Sequence, residues 1–154
     1  MSSASKPVKI APSVLASDFG KLADEIKAVS LAGADWIHLD AMDGRFVPNL
    51  TFGPPVIKAV REITDVYFDA HLMIEDPDVI LEDFASAGVQ GITVHVEVCT
   101  HLNRTLSRIR ELGCRAGVAV NPATGVDSLA HCLHLIDLIL VCLLYTSDAA
   151  DEHS

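Results

Sequence analysis

The chain has 154 residues, half of them hydrophobic and only 5% aromatic, with 21 acidic against 11 basic side chains and a net charge of −10. That length and apolar content suffice for one domain with a real core and exclude a disordered chain. The acidic balance argues against a nucleic-acid or anionic-membrane surface, and no apolar run is long enough to cross a bilayer, although a small phosphate could still find a local backbone or basic site.

Residues 1–7 open with a polar stretch that has no signal-peptide core, and they are read as a disordered N-terminal segment. A first strand is predicted over residues 9–15. Phe19, Leu22, Ile26 and Val29 then recur at helical spacing, with Asp18 placed to cap the start and Gly33 to end the helix. Further strands are predicted over 36–40, 67–72, 91–95, 116–120 and 135–141. Between the third and fourth of these six, Asp76-Pro77 reads as a cap followed by proline at the first helical position, with Gly88 closing that helix. "AGAD", "AGVQ" and "ELGC" recur where a helix hands over to a strand. Cys99, Cys114, Cys132 and Cys142 form no CxxC pair and read as reduced, partly buried thiols of a cytosolic protein.

Short βα repeats imply parallel strands with right-handed crossovers. Two architectures compete, a flat doubly wound sheet and a (β/α)₈ barrel. The stretch "WIHLDAMDG" helps to separate them. Side chains alternate along a strand, so Trp36, His38, Asp40 and Met42 share one face, opposite Ile37, Leu39 and Ala41. Ser13, His71, His95 and Asn121 fall near the C-terminal ends of their own strands. One polar parity on successive strands suits a ring whose outer face packs on helices and whose inward side chains meet at the top. A flat sheet would gather polar groups at one switch point.

The residues also carry a resemblance. "APSVLASDF", "HLDAMDGRFVPNLTFG", "DAHLMIEDP" and "VHVE" strongly resemble the ribulose-phosphate 3-epimerase family, over about residues 10–141. The resemblance implies an α/β TIM (β/α)₈ barrel of the ribulose-phosphate-binding type, here truncated to about six strands. It implies an isomerase of the pentose phosphate pathway that interconverts D-ribulose 5-phosphate and D-xylulose 5-phosphate by metal-assisted proton transfer at C3. On this likeness His38, Asp40 and His71 are three of four ligands to one divalent cation (Zn, Fe, Mn or Co), and Asp40 is one of two acid/base carboxylates. Ser13 and His71 contact the phosphorylated ketopentose, with Met42 and Met73 lining the reaction centre. The likeness further implies a homo-oligomer, while the cytoplasmic setting and the lack of a nucleic-acid or membrane partner are expected from the thiols, the acidic charge and the polar N-terminus.

The residues themselves leave blander readings open. Two histidines and an aspartate also make a satisfied polar cluster capping a barrel core, and methionines commonly fill gaps. Asp43 and Gly44 read as the turn after the second predicted strand, with residues 45–49 as a loop over the site. Asp69 is expected to orient His71, while His95 and Glu97 read as structural or as support for the site. His101, His131 and His134 read as surface residues.

Other family parts do not occur: a "VNPGFGGQ"-like lid loop, a strand ending in Asp-Gly-Gly with the second carboxylate and fourth ligand, and a glycine-containing phosphate grip. "VCLLYTSDAADE" instead resembles translated sequencing-adapter sequence. Residues 8–141 are therefore read as a partial barrel domain and 142–154 as a non-native tail, with the chain itself expected to be inactive. A hexulose-phosphate 3-epimerase shares the same motifs and stays open. A D-x-K-x-x-D decarboxylase or aldolase of the same superfamily is disfavoured, because Met42 stands where its lysine would be.

Overall fold

The computed structural model describes residues 5–142, so residues 143–154 of the expected tail lie outside it. Five strands, β1 (Trp36–Met42), β2 (Tyr67–Met73), β3 (Gly91–His95), β4 (Arg115–Val120) and β5 (Leu138–Val141), form one sheet in sequential order. Every pairing is parallel. A doubly wound sheet must reverse its strand order at a switch point. This one does not, and its order is that of a (β/α) barrel wall. Among the described residues, α1 (Leu22–Leu31) leads into β1, and α2 (Pro54–Val60), α3 (Leu81–Ser86) and α4 (Leu102–Glu111) connect the strands from β1 to β4. Between β4 and β5 the chain makes only the 3-10 turns Val126–Leu129 and Leu133–Leu135.

The strand alternation predicted from sequence sets the layering. Ile37, Leu39, Phe68, Ala70, Leu72, Ile92, Val94 and Ala116 point outward and are fully buried against Ile26, Ile57, Phe84, Leu106 and Ile109 of the helices. Burying each such large side chain is worth roughly 1.5–3 kcal/mol. Ile139 and Val141 have the same outward parity on β5 and remain exposed. No described helix is long and apolar enough to cross a membrane.

The expected first strand is not a full ladder strand. Its segment lies along β1, where Ile10 O accepts from Asp35 N and Trp36 N and Pro12 O accepts from His38 N at 2.9 Å. Ser13 makes one isolated parallel bridge to His38. Pro7 and Pro12 carry no N–H, so this run accepts hydrogen bonds without sustaining a continuous ladder. A 3-10 turn, Val14–Ala16, then ends it, with Ser13 Oγ capping Leu15 N–H. The helix expected from Asp76-Pro77 also starts later. Asp76 makes no side-chain cap, Pro77–Val79 forms a 3-10 turn, and α3 begins only at Leu81. Gly33 plays its predicted part, ending α1 at φ +100°. Asp18, however, caps a preceding 3-10 turn, Phe19–Lys21, accepting from Gly20 N at 2.9 Å, and α1 starts only at Leu22 without a side-chain cap.

Inside the wall, small residues make room for large ones. Gly117 faces Thr93, which is wholly buried, and a Cβ on Gly117 would overlap Thr93 Oγ1 and stand 3.0 Å from Thr93 Cβ. The crowding includes the strand-bound Cβ, so a rotamer change cannot relieve all of it. Gly117→Ala is therefore expected to destabilise the chain by about 1–3 kcal/mol, an overpacking cost read from the urea midpoint.

Candidate metal centre and active site

Parallel register builds the site. Asp40 of β1 pairs with His71 of β2, and His38 pairs with Asp69. Two inward layers of neighbouring strands thus place two imidazoles and two carboxylates at the C-terminal end of the sheet. Asp40 is the hub. Its Oδ1 lies 2.8 Å from His71 Nδ1 and 3.1 Å from His38 Nε2, and its Oδ2 accepts from Ser13 Oγ at 2.5 Å. His38 Nδ1 meets Asp69 Oδ2 at 3.0 Å. His71 turns its other nitrogen, Nε2, to His95 Nε2 at 2.7 Å.

The expected partner of Asp69 changes as a result. It orients His38, not His71, because register sets it beside residue 38 while residue 71 is reached by His95 from the next strand. His71 and His95 are 3% and 0% exposed and Asp69 is equally enclosed, so these are interior contacts. Buried polar groups usually persist only when partnered. His38 and His71 are held at both ring nitrogens, and His95 is held at Nε2 with the Phe46 and His71 rings tilted against it.

The loop after β1 is also fixed. Asp43 Oδ1 accepts from Arg45 N and Phe46 N, the turn role read from sequence, and its Oδ2 also accepts from Glu75 N at 2.8 Å. That last bond ties the β1 loop to the β2 loop. Slight burial would raise the Asp43 carboxyl, but the three N–H groups outweigh it and hold it below its ordinary value. Phe46 packs its ring 4.8 Å from that of His95. Thr51, which sequence reasoning passed over, donates to Asp40 O at 2.8 Å and accepts from Met42 N, pinning the backbone on both sides of Ala41. Met73 is buried and Met42 half-buried above this layer.

Charge explains the tightness. Burial pulls the His38 imidazolium down, but hydrogen bonds and charge from Asp40 and Asp69 prevail and raise it to about 10. Burial likewise opposes the Asp40 carboxylate, and the two histidines more than compensate, holding it well below the usual range. Burial and the neighbouring charge of His71 push His95 down to about 4. A histidine with a raised folded value contributes stability below its unfolded value and loses it as pH rises through the folded one. The metal-free chain is therefore expected to lose on the order of a few kcal/mol between about pH 6.5 and 10. Urea midpoints across that range should fall in the parent and stay flat in His38→Gln.

His38, Asp40 and His71 bring one ligand atom each within 4.8 Å of one another, a group able to hold a metal ion. The donor set, two neutral-capable imidazoles and one carboxylate, suits a borderline divalent cation. His38 also has the usual support for such a role, its second nitrogen already engaged by a carboxylate. The residues fit the group. Asp137 takes no part. It precedes β5 at the opposite end of the sheet, where its carboxylate accepts from Ala116 N and Arg110. His101, His131 and His134 are exposed, as expected.

Comparison with known proteins gives consistent matches. The model of the ribulose-phosphate 3 epimerase family matches residues 9–145. A ribulose-phosphate 3-epimerase of Synechocystis is 54% identical over 139 residues, covering 89% of this chain and 60% of that protein. One from Bacillus subtilis is 50% identical, covering 87% and 62%. The chloroplastic ribulose-5-phosphate-3-epimerase of Arabidopsis thaliana is 47% identical, covering 86% and 48%. The chain thus spans about 60% or less of the length of these relatives. Among solved structures, a mandelate oxidase with benzaldehyde superposes at a TM-score of 0.59 with 16% identity, covering 87% of this chain and 47% of that one. At that identity the likeness concerns the fold alone.

Proposed function

The chain belongs to the ribulose-phosphate 3-epimerase family, and from that premise we propose that it carries the cation-binding face and one proton-transferring carboxylate of an enzyme interconverting D-ribulose 5-phosphate and D-xylulose 5-phosphate. The observation that carries this reading is the sharing of the Asp40 carboxylate among Ser13, His38 and His71. Inverting a carbon beside a ketone means removing its proton and returning one to the opposite face. Asp40 takes or gives the C3 proton on one face. Ser13 steadies Oδ2, and the burial of Asp40, 9% exposed, limits its exchange with bulk water. Met42 and Met73 form an apolar wall against the reacting carbons, and Ser13 and His71 contact substrate hydroxyl groups. His38 Nε2, Asp40 and His71 Nδ1 hold one divalent cation, zinc, iron, manganese or cobalt, which supplies Lewis-acid stabilisation to the negative charge developing on the substrate oxygens.

Residues 8–141 are the barrel portion in this reading, and the protein acts in the cytoplasm on a phosphorylated ketopentose, as a homo-oligomer without nucleic-acid or membrane partners. The test joins residues 1–141 to the remaining C-terminal part of the Synechocystis relative and compares pentulose with hexulose 5- and 6-phosphates. A higher kcat/KM on D-ribulose 5-phosphate is expected. Preference for the six-carbon ketose phosphate would assign a hexulose-phosphate 3-epimerase, and no turnover on either, with the chimera folded, would overturn the reading.

A further inference from the structure

The polar chain does not stop at His71. His95 Nε2 lies 2.7 Å from His71 Nε2, and His95 Nδ1 is buried with no close hydrogen bond, the Glu97 carboxylate standing 3.4 Å away. Glu97 is itself built in. Its Oε1 accepts from Asn121 N at 2.6 Å and from Thr124 Oγ1 at 2.8 Å, which aims Oε2 at the histidine. A carboxylate only accepts, so the atom facing it must carry the proton. With N–H on His95 Nδ1, the neutral ring has a lone pair on Nε2. The proton between the two facing Nε2 atoms then belongs to His71. His71 Nδ1 also faces a carboxylate, Asp40 Oδ1 at 2.8 Å, and donates to it without a cation. Once a cation occupies the site, a ring whose Nε2 proton is held by His95 offers its Nδ1 lone pair toward Asp40 and His38.

We propose that Glu97 and His95 are positioning residues that fix the His71 tautomer, so that Nδ1 is the nitrogen offered to the cation. This rests on the cation reading above. The Nδ1 proton leaves to solvent as the cation binds, and the relay selects which of the two ring nitrogens is freed. Partners that orient a ligating histidine typically contribute ~10–100-fold to metal affinity, and here the orientation passes through a second imidazole.

Glu97→Gln tests it. The Gln oxygen can keep the Asn121 and Thr124 bonds, while the amide N–H₂ facing His95 demands the opposite tautomer there. Titrating the chain with Zn²⁺ and with Co²⁺ at fixed pH should show binding weakened ~10–100-fold in Glu97→Gln. His95→Gln, whose amide oxygen accepts from His71 unaided, should bind near the parent level and lose nothing when Glu97→Gln is added. Long-range ¹H–¹⁵N spectra of the zinc-loaded parent should show His95 as the Nδ1–H tautomer, a readout that needs no variant to fold. Parent-like binding in Glu97→Gln while His38→Ala loses the ion, or an Nε2–H tautomer at His95, would overturn the relay and leave the cation site standing. Equal, weak uptake by the parent and His38→Ala would instead remove the cation reading and the relay with it.

Discussion

Asp40→Asn, placed in the chimera of residues 1–141 with the C-terminal part of the Synechocystis relative, is expected to abolish net epimerisation. Loss of general acid/base catalysis alone typically costs ~10²–10⁴-fold. The neutral amide also removes the charge that holds His38 and His71 to a single oxygen, so cation affinity falls as well. The two effects separate by isotope exchange. If one carboxylate serves each face, the variant still exchanges the C3 proton of the one epimer whose hydrogen points away from residue 40. Deuterium wash-in followed by NMR, run on each epimer separately, should show exchange in one and none in the other. Near-parent turnover with the cation retained would make Asp40 a structural residue only.

His71→Ala is expected to cost nearly as much, by a different route. His71 lies at the centre of the chain of contacts, with Asp40 on one nitrogen and His95 on the other, and it is 3% exposed. Truncation removes one of the three donors and strands two buried polar partners. Cation affinity should fall by more than the ~10–100-fold typical of supporting partners, and activity of the chimera should fall with it. Elemental analysis after zinc loading, beside a circular dichroism spectrum to show that the fold persists, measures this. Equal metal content in His71→Ala and parent would exclude residue 71 as a ligand.

The inward parity of Trp36, His38, Asp40 and Met42 was legible from alternation alone, as was the apolar outer face, because strand periodicity is a local property. The choice of barrel over flat sheet came from polar residues recurring at strand ends, and sequential strand order agrees with it. What sequence reading missed depends on register. The separation along the chain does not reveal that residue 69 falls beside residue 38 and not beside the reactive layer above it. The Asp69–His38 pair and the facing Nε2 atoms of His71 and His95 arise that way, while the Thr51 clasp on Asp40 O comes from a loop folding back over β1. The segment around Pro12 differed for a local reason that was visible, its missing N–H groups, but the apolar pattern outweighed them in the reading.

Sequential parallel order has a kinetic consequence. Among the described residues each strand pairs only with the strands next to it along the chain, so none of these pairings waits for a distant segment, and their loop closure stays modest. A chain emerging from the ribosome can therefore zip β1 to β2 first and add later strands one at a time. His38, Asp40 and His71 have all been synthesised by the end of β2, before half of the polypeptide exists. A cation captured at that moment would clamp the first two strands in register and give the nascent sheet its nucleus.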